Sequence, residues 1–219
     1  MPTYKEMQNN EAIRTYIAAA DDSLSALGYT EHSFGHVTKV ADCAKYILET
    51  LGYSEHEIEI AQIAAFLHDI GNMVNRKDHA QSGAVMAFRI LDNLGMDAAD
   101  IALVVSAIGN HDEREGMPVN AVAAALILAD KSDVRRTRVR NIVENSFDIH
   151  DRVNYSVMKS QLNVSEDKRS ITLSLAIDPQ YSSVMEYFEI FLGRMLMCKK
   201  AAGALGMTFH LMMNEQQMM

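Results

Sequence analysis

The chain has 219 residues, 48% of them hydrophobic, and a formal net charge of -9. A chain of this length can bury a core without disulfides, so we expect one domain, alone or with a smaller appendage. The acidic balance argues against nucleic-acid or membrane-surface binding driven by overall charge, although a local basic patch is compatible with it.

The two cysteines, Cys43 and Cys198, lie far apart in the sequence and form no CxxC motif. They are therefore expected to be free thiols in a reducing compartment. The first residues are too polar for an export signal, and no run of about eighteen uncharged apolar residues occurs. We therefore expect a cytoplasmic protein with no membrane span.

Amphipathic helices are predicted along the first two thirds of the chain. Apolar residues recur at helical spacing in 13–27 and again in 37–51. Ser54 and Glu57 stand three residues apart in the order typical of a capping box, which predicts a helix that runs to Leu67.

Three more helices are predicted before the pattern changes. Asp78 is expected to cap the first of them, which ends near Leu94, just before Gly95. The other two cover 98–110 and 120–134. The last one contains "AVAAALILA", which is apolar on nearly all sides, so we expect it at the centre of a bundle.

A different period begins near residue 150. Apolar residues alternate over 153–157 and 171–177, and the polar "SEDKR" separates the two runs, which predicts a β-hairpin. Ser183 is expected to cap a helix, and "MTFHLMMN" predicts one more strand. The predicted fold class is mainly α, a helical bundle with a small C-terminal α+β (ββαβ) appendage. The predicted domains are 1–150 and 151–219.

Side chains that bind metal ions occur in five short segments of the helical part. Each one alone is more often structural, because a histidine at a helix end commonly interacts with the helix dipole. Asp130, however, ends an apolar helix, and a carboxylate that enters a core needs a cation, a metal or a proton. Imidazoles and carboxylates that converge in a helical bundle are typical of divalent metal sites. The candidates are His32, His36, His68, Asp69, Asp78, His79, His111, Asp112, Glu113, Asp130 and Asp133.

The order of these residues resembles the HD-domain phosphohydrolase superfamily. "HVTKVADCA" is similar to the first metal-binding helix of that family, "LHDIG" to its signature doublet, and "ILADKSD" to the helix with its last ligand. The resemblance covers 31–133 and implies an HD-domain helical bundle. It also implies a metal-dependent phosphohydrolase whose first ion is held by His36, His68, Asp69 and Asp130.

The HD-GYP and ribonuclease Y types are nearest in pattern, and a subset of the family that binds two metals has further histidines. His79 in "DHAQSGA" and His111 in "NHDEREG" resemble their further histidines, which implies a second ion that shares Asp69. The sequence departs from them at Asp112, where a second histidine is expected and a carboxylate is a candidate ligand. It also departs at Asn72, where many members have lysine. Two such ions would activate a hydroxide and clamp phosphate oxygens.

The implied cofactor is a divalent metal, with two ions, iron or manganese first and zinc, cobalt or magnesium also compatible. The implied substrate is a small phosphorylated molecule, such as a nucleotide or a phosphodiester. Two other hypotheses stay open: a non-catalytic metal-binding domain that senses a ligand, and an RNA-directed nuclease. The edge of the predicted hairpin could also pair with a second copy, giving a homodimer.

A basic run, "KSDVRRTRVR", follows the last candidate ligand and carries five positive charges in an acidic chain. It is either a solvated helix end that interacts with the dipole or a set of phosphate ligands at the pocket rim. In the second case Arg135, Arg136 or Arg138 binds phosphate.

The catalytic candidates besides Asp69 are His32 and Lys131. His32 precedes His36 by four residues, so on a helix the two share one face. It would then contact a phosphate or protonate the leaving oxygen, or else cap the entering chain. Lys131 is expected to bind the substrate, and Asp133 to contact the substrate or neutralise a cation.

Overall fold

The computed structural model describes residues 2–141 and 146–219. Nine α-helices and four strands occur in these ranges, so the mainly helical fold class is confirmed. The helices are α1 Tyr4–Asn9, α2 Glu11–Ala26, α3 Phe34–Leu51, α4 Glu55–Leu67, α5 His79–Asn93, α6 Ala98–Gly109, α7 Ala121–Ser132, α8 Ile149–Ser156 and α9 Val184–Ala204. The strands are β1 Val157–Val164, β2 Ser170–Ile177, β3 Thr208–Met213 and β4 Gln216–Gln217.

Helix α7 lies at the centre of the helical part, as its apolar sequence predicts. Every side chain from Val122 to Ala129 is buried, and α7 contacts α3, α4, α6 and α9. A helix that is apolar on all sides is stable only when other elements surround it. Its C-terminal end therefore delivers Asp130 into the interior.

Two helix starts show where local capping rules hold and where they fail. The Ser54 side chain accepts a hydrogen bond from the backbone of Glu57, and the Glu57 side chain binds back, so the capping box is confirmed. Asp78 occupies the predicted N-cap position of α5, but its side chain makes no capping hydrogen bond. Asp78 instead adopts a left-handed backbone with φ of 59°, which turns the chain sharply into α5.

The prediction of a strand over 153–156 is also wrong, since these residues belong to α8. The Asp148 side chain accepts a hydrogen bond from the Asp151 backbone and starts the helix. Val153 and Val157 are buried and four residues apart, a spacing that suits one helical face as well as alternate strand positions. Helix α8 also crosses the expected boundary at residue 150, and the division into two domains stays a prediction.

The C-terminal appendage is a mixed sheet covered by α9. The strand order is β1-β2-β3-β4, with β1 and β2 antiparallel and β2 and β3 parallel. The parallel pair requires a crossover, and α9 provides it, with its start fixed by the predicted capping box at Ser183. Because α9 contacts both β3 and α7, it joins the sheet to the helical part. Pairing of a second copy along β1 stays a prediction.

Cys43 and Cys198 are free thiols, as predicted. Burial raises the pKa of Cys43 to about 11 and that of Cys198 to about 12. Over the described ranges, each helix is too short or too polar to cross a lipid bilayer.

Candidate metal centre

Helix ends that are distant in sequence meet at one point of the bundle. His36 lies in the first turn of α3, His68 caps the C-terminal end of α4, and Asp69 follows directly. His79 begins α5, His111 follows α6, and Asp130 lies in the last turn of α7. The five side chains His36, His68, Asp69, His79 and His111 are buried. The predicted convergence of imidazoles and carboxylates is therefore present.

The first group of ligand atoms comprises His36, His68, Asp69 and Asp130. The Oδ1 atom of Asp130 is 3.3 Å from His36 Nε2 and 3.7 Å from His68 Nε2. The Oδ2 atom of Asp69 is 3.6 Å and 3.2 Å from the same two nitrogens. Both Nε2 atoms are buried and have no hydrogen-bond partner within the described chain. Buried polar atoms normally have a partner, so these two nitrogens fit a ligand that the polypeptide does not supply.

The second group uses the other oxygen of the same aspartate. Asp69 Oδ1 is 3.6 Å from His79 Nε2 and 3.9 Å from His111 Nε2, and the two Nε2 atoms are 3.2 Å apart. Two atoms each about 2.1 Å from one ion lie about 3.0 Å apart in an octahedral and about 3.4 Å apart in a tetrahedral arrangement. The spacings in both groups are close to these values, so the donor sets fit divalent cations.

Hydrogen bonds on the opposite side of each ring fix the direction of the imidazoles. His36 Nδ1 is 2.8 Å from Asp133 Oδ2, and His68 Nδ1 is 2.7 Å from the Ala65 carbonyl oxygen. His111 Nδ1 is 2.6 Å from the carbonyl oxygen of Ile108. When Nδ1 donates in this way, Nε2 carries the lone pair that binds a metal. Each ring is thus held with its metal-binding atom toward the centre.

The charges of the group also favour a cation. Burial lowers the pKa of His68, but the carboxylates of Asp69 and Asp130 outweigh it and raise that pKa to about 10. Burial raises the pKa of Asp69, whereas the charge of His68 holds it well below its usual value. The carboxylates are therefore ionised, and a bound metal would displace the proton of His68.

A glycine allows Asp69 and His79 to approach each other. A Cβ atom on Gly71 would lie 2.0 Å from the carbonyl oxygen of His79 and 2.4 Å from the backbone nitrogen of Gly83. Only glycine fits there, because real Cβ atoms do not approach backbone atoms so closely. The turn after the doublet can therefore pack directly on the start of α5.

Asp112 and Asn72, the two residues that depart from the family pattern, are not placed like the candidate ligands. Asp112 Oδ2 is 3.8 Å from Nδ1 of His79, whereas Nε2 of that ring faces the centre. Asp112 thus lies on the far side of the His79 ring from Asp69 Oδ1, where the Nε2 atoms of His79 and His111 meet. Asn72 Nδ2 donates to Oδ1 and to the carbonyl oxygen of Asp69, both at 2.9 Å. Arg76 Nη1 in turn donates to Asn72 Oδ1 at 3.2 Å, so a cation stands close to the position where lysine is expected.

A cavity of about 490 Å³ opens above the centre. His32 lines it and does not lie on α3, since Ser33 caps that helix; its ring is still 5.5 Å from that of His36. Lys131 also lines the cavity and binds Asp130 and Glu113 at 2.8 and 2.9 Å. The described lining includes five cations: Arg76, Arg114, Lys131, Arg138 and Arg194.

Two arginines of the basic segment differ from their predicted placement at the pocket rim. Arg135 and Arg136 are not among the described residues that line the cavity. Arg135 binds Asp133, and Arg136 binds the Tyr155 carbonyl oxygen and Asp178. Asp133 is buried behind His36, so it neutralises cations, as one predicted alternative holds. Helix α7 ends at Ser132, which removes these arginines from a helical face.

Three cations of the cavity, Arg76, Arg114 and Arg194, were outside the sequence-based candidates. Arg76 carries no motif of its own, although its position four residues after Asn72 is compatible with the observed bond. Arg194 lies on α9, and nothing in its local sequence links it to the metal centre. Its position depends on how the appendage packs against α7.

Removal of metal is expected to destabilise the fold, because it leaves His36 and His68 without partners beside two carboxylates. A ligand at a thousand times its Kd stabilises a protein by about 4 kcal/mol. At roughly 2–4 °C per kcal/mol for this size, the Tm of chelated protein should fall by about 8–16 °C. Calorimetry of metal-loaded, stripped and refilled protein measures this difference. Equal Tm values in all three states would contradict it.

The fold and site together define a helical metal-binding domain. The HD domain family model matches residues 33–153, more than half of the chain, so the protein belongs to the HD domain family. HD domains bind divalent metals, and this membership together with the two ligand groups supports a metal-dependent hydrolase in general.

Two similar proteins show how far the likeness extends. An uncharacterized protein of Methanocaldococcus jannaschii is 27% identical over 188 residues, which cover 75% of this chain and 72% of that protein. The crystal structure of a predicted HD superfamily hydrolase from an uncultured Thermotogales bacterium has 25% identity and a TM-score of 0.44. The likeness covers 60% of this chain and 73% of that one.

Proposed function

We propose that this protein is a phosphohydrolase that binds two divalent ions and hydrolyses an ester of a small phosphorylated substrate such as a nucleotide. The observation that carries the proposal is the position of Asp69. One of its oxygens faces His36 and His68, and the other faces His79 and His111. A carboxylate with a different imidazole pair on each oxygen suits a bridge between two ions.

In this proposal, His36, His68 and Asp130 hold the first ion, His79 and His111 hold the second, and Asp69 binds both. The Arg76 carbonyl oxygen, 3.1 Å from His79 Nδ1, orients that ring, and Asp112 is not a ligand. When bound, divalent ions supply Lewis acidity that polarises phosphate oxygens and activates water for in-line attack. Iron and manganese suit this mixed nitrogen and oxygen set, and zinc, cobalt and magnesium are alternatives for the test below.

The cavity residues then bind the phosphate and assist proton transfer. Burial lowers the pKa of Lys131, but the charges of Asp130 and Glu113 outweigh it and raise that pKa, so the lysine stays charged beside the centre. His32 Nδ1 is 2.6 Å from the Thr30 carbonyl oxygen, which leaves Nε2 free of hydrogen bonds within the described residues. Burial, with the charge of Arg138, lowers the pKa of His32 well below its usual value. A neutral His32 presents an unprotonated Nε2 to the cavity, so we assign it contact with the substrate rather than protonation of the leaving oxygen.

The alternative of an RNA-directed nuclease loses its main support. It depended on a free basic run, but Arg135 and Arg136 are engaged by carboxylates and a backbone oxygen. Nucleic-acid affinity from phosphate contacts requires cations that face the ligand. A small substrate in the cavity is therefore the better interpretation.

The test combines metal analysis of the purified protein with a substrate screen. We expect a ratio near two ions per chain, and hydrolysis of nucleotides or small phosphodiesters that chelator abolishes and added iron or manganese restores. One ion per chain would contradict the bridging role of Asp69. Bound metal without turnover of any phosphate ester would overturn the proposal and favour a non-catalytic ligand-sensing domain.

A further inference from the structure

A chain of alternating charges leads from the metal centre to the appendage. Lys131 Nζ is 2.8 Å from Asp130 Oδ2 and 2.9 Å from Glu113 Oε2, and Arg194 Nε donates to Glu113 Oε1 at 3.3 Å. The guanidinium of Arg194 also lies over the ring of Phe191, at 4.5 Å from its centre. Arg194 is thus held by Nε and by stacking, and its terminal nitrogens make no hydrogen bond within the described residues.

A second guanidinium is fixed in the same cavity. Arg138 is 5% exposed, and its Nε donates to the Glu31 carbonyl oxygen at 2.8 Å. Its Nη1 donates to the carbonyl oxygen of Asp133 at 2.7 Å, while Nη2 has no hydrogen-bond partner in the described part of the chain. The carboxylate of Asp133 is 3.6 Å away but is shared with His36 and Lys39. Because Arg138 lines the cavity, this nitrogen is open to an anion there, and such a partner stabilises a charge that is otherwise largely buried.

The two guanidiniums belong to one electrostatic environment. Burial lowers the pKa of Arg138, and the positive charge of Arg194 acts in the same direction, while nearby carboxylates oppose both. Apart from Asp69 and the paired Asp130 and Lys131, the described lining has four cations against Glu113, Asp148 and Asp151. Bound metal would add further positive charge. A single phosphate group at the metal centre would leave this excess of positive charge in the cavity without a counter-ion.

Resting on the function proposed above, we propose that Arg194 and Arg138 form a second anion subsite that binds a further phosphate or carboxylate of the substrate. Guanidinium groups present paired donors that match these anions. The enzyme would then prefer esters with two anionic groups over simple monophosphates. Arg194 lies outside the matched HD domain residues, so it is a specificity-determining residue supplied by the appendage.

Calorimetric titration of the full-length protein, with its metal and after stripping, tests the subsite through binding alone. The probes are inorganic pyrophosphate, inorganic phosphate and malonate, which separate a second phosphate from a carboxylate. Arg194→Gln should weaken pyrophosphate binding at least tenfold and phosphate binding much less. Lys199→Gln is the matched control, because it removes an exposed charge from the same helix, outside the cavity. Equal pyrophosphate affinity in the two variants would overturn the proposal.

A second variant distinguishes binding from a structural role. Glu113→Gln removes the carboxylate that competes for Lys131 and Arg194, so pyrophosphate should bind several-fold more tightly. Weaker pyrophosphate binding in Glu113→Gln as well as in Arg194→Gln would show that these two charged side chains have a structural role, and it would overturn the subsite. The binding result is independent of turnover. Weaker pyrophosphate binding by Arg194→Gln in a protein that hydrolyses no phosphate ester would support the subsite and contradict the proposed phosphohydrolase activity. Hydrolysis by the unaltered protein, with unchanged pyrophosphate binding in Arg194→Gln, would support the activity and contradict the subsite.

Discussion

Asp69→Asn is expected to lower hydrolysis by at least about 10³-fold, which corresponds to about 4 kcal/mol of transition-state stabilisation. The substitution keeps the shape of the side chain but replaces one charged oxygen with an amide. Since both oxygens of Asp69 face imidazoles, either orientation of the amide loses a ligand to one ion. Metal content of the purified variant should fall from about two ions to one or none, as measured by elemental analysis.

The matched control is Asp100→Asn. Asp100 is also a buried carboxylate, and it binds His56 at 2.9 Å away from the cavity. This variant should retain both metal and activity. Full activity of Asp69→Asn, or an equal loss in both variants, would contradict the role of Asp69 as a bridge.

Asp133→Ala should destabilise the protein by about 3–5 kcal/mol, because it removes the carboxylate from a buried cluster of cations. Asp133 is 2% exposed and binds His36, Lys39, Arg135 and Arg138. Burial raises its pKa, yet the hydrogen bond from His36 and the charge of Arg138 keep that pKa well below the usual value. Urea unfolding measures the loss, and metal titration should show affinity reduced by about 10–100-fold as His36 loses its orientation.

Asp178→Ala provides the comparison for a less buried ion pair. Asp178 binds Arg136 at 3.3 Å, and both side chains are partly exposed. Partly exposed pairs contribute about 1 kcal/mol or less, so the loss should be several times smaller and metal affinity unchanged. Similar losses in the two variants would show that burial of Asp133 does not set its contribution.

The sequence predicted the elements whose signals are local. The capping boxes at Ser54 and Ser183 mark true helix starts, and the alternation over 171–177 is a true strand. Local signals failed where two conformations satisfy the same pattern. Residues 153–157 can bury Val153 and Val157 as a helix or as a strand, and the Asp148 cap decides for the helix.

The candidate site likewise contains residues that the sequence predicted and residues that it did not. His36, His68, Asp69 and Asp130 could be recognised because the motif places them at helix ends that must meet in a bundle. The contacts of the basic run could not be predicted from its own residues, because its partners are remote in sequence. Asp178, which binds Arg136, lies 42 residues after it along the chain. The role of Arg194 could not be predicted for the same reason, because only the packing of α9 brings it to Glu113.

Helix α9 is at once the crossover between two parallel strands and a wall of the cavity above the candidate metal centre. In the proposed enzyme, its inner face can therefore diverge in sequence and change which molecules are accepted, while the histidines and aspartates on other helices remain the same. The proposed chemistry and its selectivity would then be encoded by separate stretches of one polypeptide.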